Sequence, residues 1–296
     1  MRLLTVRHVT TYRYSAPVAF GEHRMMFRPR ESHDLRLVQT RLDIRPVPSD
    51  LRWLHDVFDN SVAIATFGEM SSELRFESTV TLEHIHTTLP DYALDADARA
   101  YPFQYSGDEH PDLVGALARR YPDDDLSDFT AHLLAGTGRT TTMDLLQSMS
   151  RTINDGFTYV RRMEKGVQSP GETLRLRSGS CRDFAVLMME AARSLGIAAR
   201  FVSGYIFSSY ASATAPIGGG ATHAWMQAYL PGAGWVDFDP TNSIVGNRNL
   251  IRVAVAWDHR NALPLWGTFS GPSSSFRGMD VEVSVVDELG GLQPVL

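Results

Sequence analysis

Polar and apolar residues alternate through the first 88 residues. In Leu37–Arg45 (LVQTRLDIR), Val38, Thr40, Leu42 and Ile44 form one largely apolar face, and Arg41, Asp43 and Arg45 form the other. Glu73–His84 repeats the pattern, with Leu74, Phe76, Val80 and Leu82 set against Glu73, Arg75, Glu77 and Glu83. A period of two with one polar face predicts antiparallel strands, one side on a core and the other in water. Asp59-Asn60, between Trp53–Phe58 and Val62–Phe67, reads as a hairpin turn. An antiparallel β-sandwich or barrel over residues 1–88 is expected.

The period changes near residue 89, after a linker-like Thr88-Leu89-Pro90-Asp91. Asp112–Arg120, Leu126–Ala135 and Thr142–Asn154 carry apolar residues at steps of three and four; Met143, Leu146, Met149 and Ile153 are the clearest set. Gly136 and Gly156 mark helix ends. Beyond them the order is short strand, loop, helix, then strands. The last strand has Met279, Val281, Val283 and Val285 alternating with Asp280, Glu282 and Ser284. The fold class is therefore α+β, with a second region over 89–296 that includes the C-terminal strands. Ser208–Thr222 is small and Gly-rich, too poor in large apolar groups for a core element, and reads as a lid or a connector.

Composition narrows the function. The chain has 28 basic and 34 acidic residues, so its formal charge is 28 − 34 = −6, which argues against nucleic acid as a partner. No run of about 18 apolar residues exists to span a membrane. The basic start alternates instead of forming an apolar block, so a secretory leader is not expected and the cytoplasm is. One cysteine makes neither an internal disulfide nor a Cys-rich zinc site. His84-Ile85-His86 and His55-Asp56 lack the spacing of a metal hydrolase, and neither an HExxH run nor a calcium loop is present. No metal or other cofactor is expected, and the lone thiol becomes the residue to question.

Ser178-Gly179-Ser180-Cys181-Arg182-Asp183-Phe184 runs into a helix whose Phe184, Leu187, Met188, Ala191 and Leu195 share a face, with Gly196 at its end. Ser178 or Ser180 is the N-cap, which puts Cys181 in the first turn. There the free N–H groups and the helix dipole favour an anion, and the thiolate is the nucleophilic form of cysteine. A small buried apolar residue would suit the same position. A thiolate nucleophile needs a base, and the base needs an acceptor to orient it. Thr222–Tyr229 and Trp235–Thr241, joined by Pro231-Gly232-Ala233-Gly234, form a hairpin that supplies His223 and Asp239. If Tyr229 pairs with Trp235, Asp239 is the diagonal neighbour of His223 on one face. If Leu230 pairs with Trp235, the two fall on opposite faces. Asp237 shares the face of Asp239, and periodicity does not separate them. Trp225 and Trp235 lie on the His face, either shielding it or packing across the strands.

These blocks resemble the core of the transglutaminase-like superfamily of papain-like thiol enzymes: SGSCRDFAVLMMEAARSLGIAARFVSGYI, then THAWMQAYLPGAGWVDFDPTN. The β-rich start (TYRYSAPVAFGEHRMMFRPR, WLHDVFDNSVAIATF) is similar to the N-terminal domain of bacterial transglutaminase-like proteins. The resemblance implies a papain-like core. It makes Cys181 the nucleophile, His223 the general base and acid, and Asp239, in Asp-Pro-Thr four after Trp235, the orienting residue. It implies acyl transfer on peptide or protein amides, through a thioester resolved by water or an amine. A peptidase or amidase is the alternative activity, and a non-catalytic protein-binding scaffold the alternative class. The Cys181 N–H is the natural first oxyanion donor, with Gln168 and Tyr159 as candidates for the second. Many relatives carry Gly-Arg-Asp-Tyr and Pro-x-x-Gly runs near the end, where this chain has Ala256-Trp257-Asp258-His259 and Pro264-Leu265-Trp266-Gly267. A different substrate preference is expected if that segment lines the cleft.

Overall fold

A computed structural model describes residues 1–85, 92–135, 140–162, 166–207, 217 and 219–289. The expected linker Thr88–Asp91, Gly136 and most of Ser208–Thr222 lie outside the described residues. Five strands open the chain: β1 (Arg2–Met25), β2 (Leu35–Arg45), β3 (Asp50–His55), β4 (Ser61–Thr66) and β5 (Ser71–His84), hydrogen-bonded in the order β2-β5-β1-β4-β3. The first half of β1 pairs with β5, from Arg2 opposite His84 to Arg13 opposite Glu73. After a register break the second half pairs with β4, His23 opposite Ala65. One long strand thus serves two arms of a curled sheet, which close on Tyr14, Phe20, Met25, Leu74 and Phe76.

The alternation in β5 is the one expected, with Leu74, Phe76, Val80 and Leu82 all buried. That in β2 is not. A bulge between Leu37 and Gln39 leaves Val38 55% exposed, while Leu35 lies inside before it and Ile44 after it. One extra residue moves the following side chains to the other face. In the turn between β3 and β4, Asp59 has φ 61°, and Asp56 Oδ1 accepts from the N–H groups of Phe58 (2.8 Å) and Asn60 (2.9 Å).

The second region runs α1 (His110–Leu117), α2 (Ser127–Ala135), α3 (Thr142–Gly156), β6 (Thr158–Tyr159), α4 (Pro170–Leu176), β7 (Ser178–Gly179), α5 (Cys181–Ser194), β8 (Ala199–Ile206), β9 (His223–Leu230), β10 (Gly234–Asp239), β11 (Ile244–Val245) and β12 (Leu250–Ala256). Five of its strands form an antiparallel sheet ordered β11-β10-β9-β8-β12. Helix α5 packs on that sheet, Phe184, Leu187, Met188 and Ala191 sharing a core with Ala224, Met226, Ala228 and Leu230 of β9. The helix is buried almost all round, and the side that the sequence leaves to water carries a buried ion pair. Arg193 Nη1 donates to Glu190 Oε1 at 2.8 Å. Arg193 also donates to the carbonyls of Ala116, Ala199 and Trp257, and Glu190 Oε2 accepts from the N–H groups of Arg120 and Tyr121. Charges this deep persist because each is paired and hydrogen-bonded.

The last two strands, β13 (Leu265–Ser270) and β14 (Phe276–Asp287), return to pair with β1. Sequence order places them in the second region; hydrogen bonding places them in the first sheet. Leu4, Val6, Val80 and Leu82 of that sheet share a core with Tyr205, Phe207, Ile251 and Val253 of the second. Arg252 joins the layers by charge, to Asp34 at 2.6 Å and Asp237 at 3.1 Å. The fold class is α+β, an antiparallel half-barrel joined to a papain-like core of helices and antiparallel sheet.

Candidate active site

Cys181 opens α5, with Ser180 as its N-cap. Asp183, in the first turn and without exposure, fastens this corner. Its Oδ2 accepts from the Ser180 N–H (2.7 Å) and hydroxyl (2.8 Å), and its Oδ1 accepts from the Gln168 N–H (2.7 Å) and Arg162 Nη1 (2.8 Å). A capping carboxylate satisfies donors that a helix start leaves open. Gly179 is required by close approach, since a Cβ there would sit 2.8 Å from the Asp183 Cβ.

The hairpin adopts the register with Tyr229 opposite Trp235, continuing to Met226 opposite Phe238. It brings Asp239, not Asp237, to the histidine: His223 Nε2 and Asp239 Oδ2 lie 2.8 Å apart, both side chains without exposure. Asp237 is engaged elsewhere, accepting from Trp225 Nε1 at 2.6 Å and from Arg252. Asp239 is held from several sides. Its Oδ1 accepts from the Thr241 N–H, its Oδ2 also accepts from Asn242 Nδ2 at 2.8 Å, and its carbonyl accepts from the Ser150 hydroxyl. Asn154 of α3 donates to the Thr241 carbonyl at 2.7 Å.

The other ring nitrogen, His223 Nδ1, is buried and has no hydrogen-bond partner among the described residues, while Cys181 lies close enough for its charge to act on the ring. Burial works against a charge on this ring. The Asp239 carboxylate, through charge and hydrogen bond, and then Cys181 outweigh it, raising the His223 pKa from 6.5 to about 10. The ring therefore holds its proton at neutral pH. Trp225, fully buried, stacks on it with centroids 5.9 Å apart and planes at 27°. Trp235 does not shield the site; it packs on Tyr229 and Trp257 at the other end of the hairpin, under the Arg200 guanidinium. Gly204 lies opposite His223, where a Cβ would meet the Ile251 carbonyl oxygen at 2.1 Å.

Of the two upstream donor candidates, Tyr159 lies by the thiol and Gln168 serves the scaffold. Parallel pairing sets Tyr159 beside Gly179, and its phenol is close enough to Cys181 for the two groups to act on each other's charge. Burial first, and Cys181 second, push its pKa up to about 12, so it keeps a proton to donate. Gln168 instead donates its N–H to Asp183 and accepts at its side-chain oxygen from the Thr173 hydroxyl. Arg162, Asn154 and Asn242 did not stand out in the sequence. Only Asn242 had a signal, as the end of the Asp-Pro-Thr-Asn run.

In the divergent C-terminal segment, His259 comes near the start of α5, close enough for the charges of Arg182 and Asp183 to act on it, and packs on Phe201. Leu265–Gly267 instead pairs with β1. Among the described residues, no group of three or more His, Cys, Asp or Glu is placed to hold a metal ion, and His84 Nε2 meets the Leu250 carbonyl. No helix of the described residues is long and apolar enough to cross a membrane.

Fold and site point to one class, and the comparisons agree. Residues 131–240, which hold Cys181, His223 and Asp239, match the transglutaminase-like superfamily. Residues 4–83 match the bacterial transglutaminase-like N-terminal region. The uncharacterised protein Rv2569c of Mycobacterium tuberculosis is 28% identical over 298 residues, covering 95% of this chain and 91% of that protein. The uncharacterised ML0607 of Mycobacterium leprae is 36% identical over 120 residues, covering 40% of this chain and 42% of that protein. A solved structure from Cytophaga hutchinsonii, of a protein proposed to be a cysteine protease, is 20% identical, covers 97% of this chain and 92% of that one, and shares the fold with a TM-score of 0.68.

Proposed function

We propose that the protein is a cysteine-dependent acyl-transfer enzyme acting on amides of peptides or proteins, with Cys181 as nucleophile, His223 as acid and base, and Asp239 as the residue that orients His223. The observation that carries this reading is the buried His223 ring, held by one nitrogen 2.8 Å from Asp239, with its other nitrogen free of hydrogen bonds and Cys181 close enough to act on it. The sulfur attacks the amide carbon. The oxyanion is met by the Cys181 N–H and the Tyr159 hydroxyl. The carbon–nitrogen bond then breaks as His223 gives its proton to the leaving amine or ammonia. Water or an amine attacks the resulting thioester, passes a proton to His223, and releases the acyl group as the carbon–sulfur bond breaks. Water gives hydrolysis and an amine gives cross-linking.

The test is to incubate the protein with glutaminyl peptides, with and without a primary amine, while following ammonia release, amine incorporation and the mass of the chain. The reading expects an acyl adduct on Cys181 and ammonia or peptide cleavage, both absent from Cys181→Ala. Amine incorporation separates cross-linking from hydrolysis. A protein that neither forms the adduct nor turns over any of these amides is a binding scaffold, and the reading is lost.

A further inference from the structure

Acting with the thiol on the Tyr159 phenol are two guanidinium groups, of Arg161 and Arg182, that make no hydrogen bond or ion pair among the described residues. Val160 N–H donates to the Gly179 carbonyl at 2.8 Å, extending the parallel pairing that sets Tyr159 opposite Gly179. Arg161 follows two residues after Tyr159, just past the paired segment, and its charge acts on the Tyr159 phenol. Arg162, on the other side, turns inward to Asp183. Arg182 follows Cys181 directly in the first turn of α5. Arg161 is exposed, Arg182 is half-buried, and neither has a hydrogen-bond or ion-pair partner among the described residues. Both bear on the Tyr159 phenol, opposing the effect of Cys181.

Among the described residues, the carboxylates around the start of α5 are already taken. Asp183 is bound by Arg162, Asp239 by His223, and Asp258 by Arg260 at 2.5 Å. In a chain with a formal charge of −6, Arg161 and Arg182 thus carry positive charge near the one thiol that no carboxylate among the described residues pairs with. Guanidinium groups without a partner match the planar, bidentate geometry of a carboxylate. Resting on the thiol-enzyme reading above, we propose that the acyl donor is an acidic peptide, with a carboxylate beside the scissile amide that Arg161 and Arg182 receive.

The test uses iodoacetate and iodoacetamide on the intact protein. Both form a sulfur–carbon bond and expel iodide, and they differ in carrying a carboxylate or a neutral amide. Cys181 is the only cysteine, so alkylation reports on one site. The readout is the ratio of the iodoacetate rate to the iodoacetamide rate. His223 is unchanged throughout, so its charge cancels between variants. The ratio should fall about tenfold in R161Q/R182Q, fall less in R161K/R182K, and shrink in wild type as salt is raised. If the double variant does not fold, R161Q alone, at an exposed position, should lower it about threefold. A ratio that is the same in wild type and the neutralised variant overturns the proposal. Failure of both reagents to label the folded protein, when they label it unfolded, removes the thiol-enzyme reading and this proposal with it; a labelled thiol with an unchanged ratio removes the proposal alone.

Discussion

At the scale of single residues, two buried aspartates on one strand do different work. Asp239 orients His223, while Asp237 holds the Trp225 indole and Arg252. Asp239→Asn should lower kcat by about 10²–10⁴-fold, as loss of the orienting carboxylate does in triads. Asp237→Asn should act mainly on stability, costing about 1–3 kcal/mol in denaturant unfolding, because a buried hydrogen-bond network is weakened. Tyr159→Phe should reduce kcat about 10²–10³-fold if its hydroxyl meets the oxyanion, leaving the fold intact by circular dichroism. The pH dependence follows from His223. Its pKa is raised in the folded state, from 6.5 to about 10, so its contribution to stability is complete below pH 6.5 and is lost as pH rises through 10. The unfolding midpoint should decline across that window, and Asp239→Asn should flatten the decline. Strand periodicity gave both aspartates the same face. What separates them is a contact from Trp225 at a distant position in the chain, which a period of two does not encode.

At the scale of elements, the Cys181 helix was legible where its chemistry is local. Its start, its apolar face and its end at Gly196, with φ 76°, follow from neighbours in sequence. Its burial was not legible, because Glu190 and Arg193 resemble a solvated face until Ala116, Ala199, Arg120, Tyr121 and Trp257 converge on them. The bulge at Val38 was missed for a similar reason, since it is set by the register against β5. The hairpin register was one of two open choices, and it decides whether the histidine and carboxylate meet. Asp183 joins the helix start to Arg162 and Gln168. Asp183→Ala should cost about 3–5 kcal/mol, since it leaves the buried N–H groups of Ser180 and Gln168 without their acceptor. A denaturant midpoint within error of wild type would show that this corner is held by other contacts.

At the scale of the molecule, the two layers share a core and two strands. Phe207, of the second region, packs among Leu4, Val6 and Leu82 of the first, and β13 and β14 complete the first sheet from the far end of the chain. Residues 89–296 expressed alone should therefore fail to fold, having lost the partner of β13 and β14 and the cover over Tyr205, Ile251 and Val253. A dispersed amide spectrum from that fragment would contradict this. Phe207→Ala should cost about 3–5 kcal/mol and shift both layers together in one transition. The sequence pattern separates a strand-rich start from a mixed remainder but is silent on how they join, since alternation gives a strand's faces and not its partners. The proposed activity requires the thiol to work with the imidazole. The most direct measurement is the rate at which a thiol-directed reagent modifies Cys181 near pH 6, in wild type and in His223→Ala. Modification much faster than that of free cysteine, lost in the variant, is the result the account predicts; modification no faster than free cysteine, or unchanged by removing the imidazole, would contradict it.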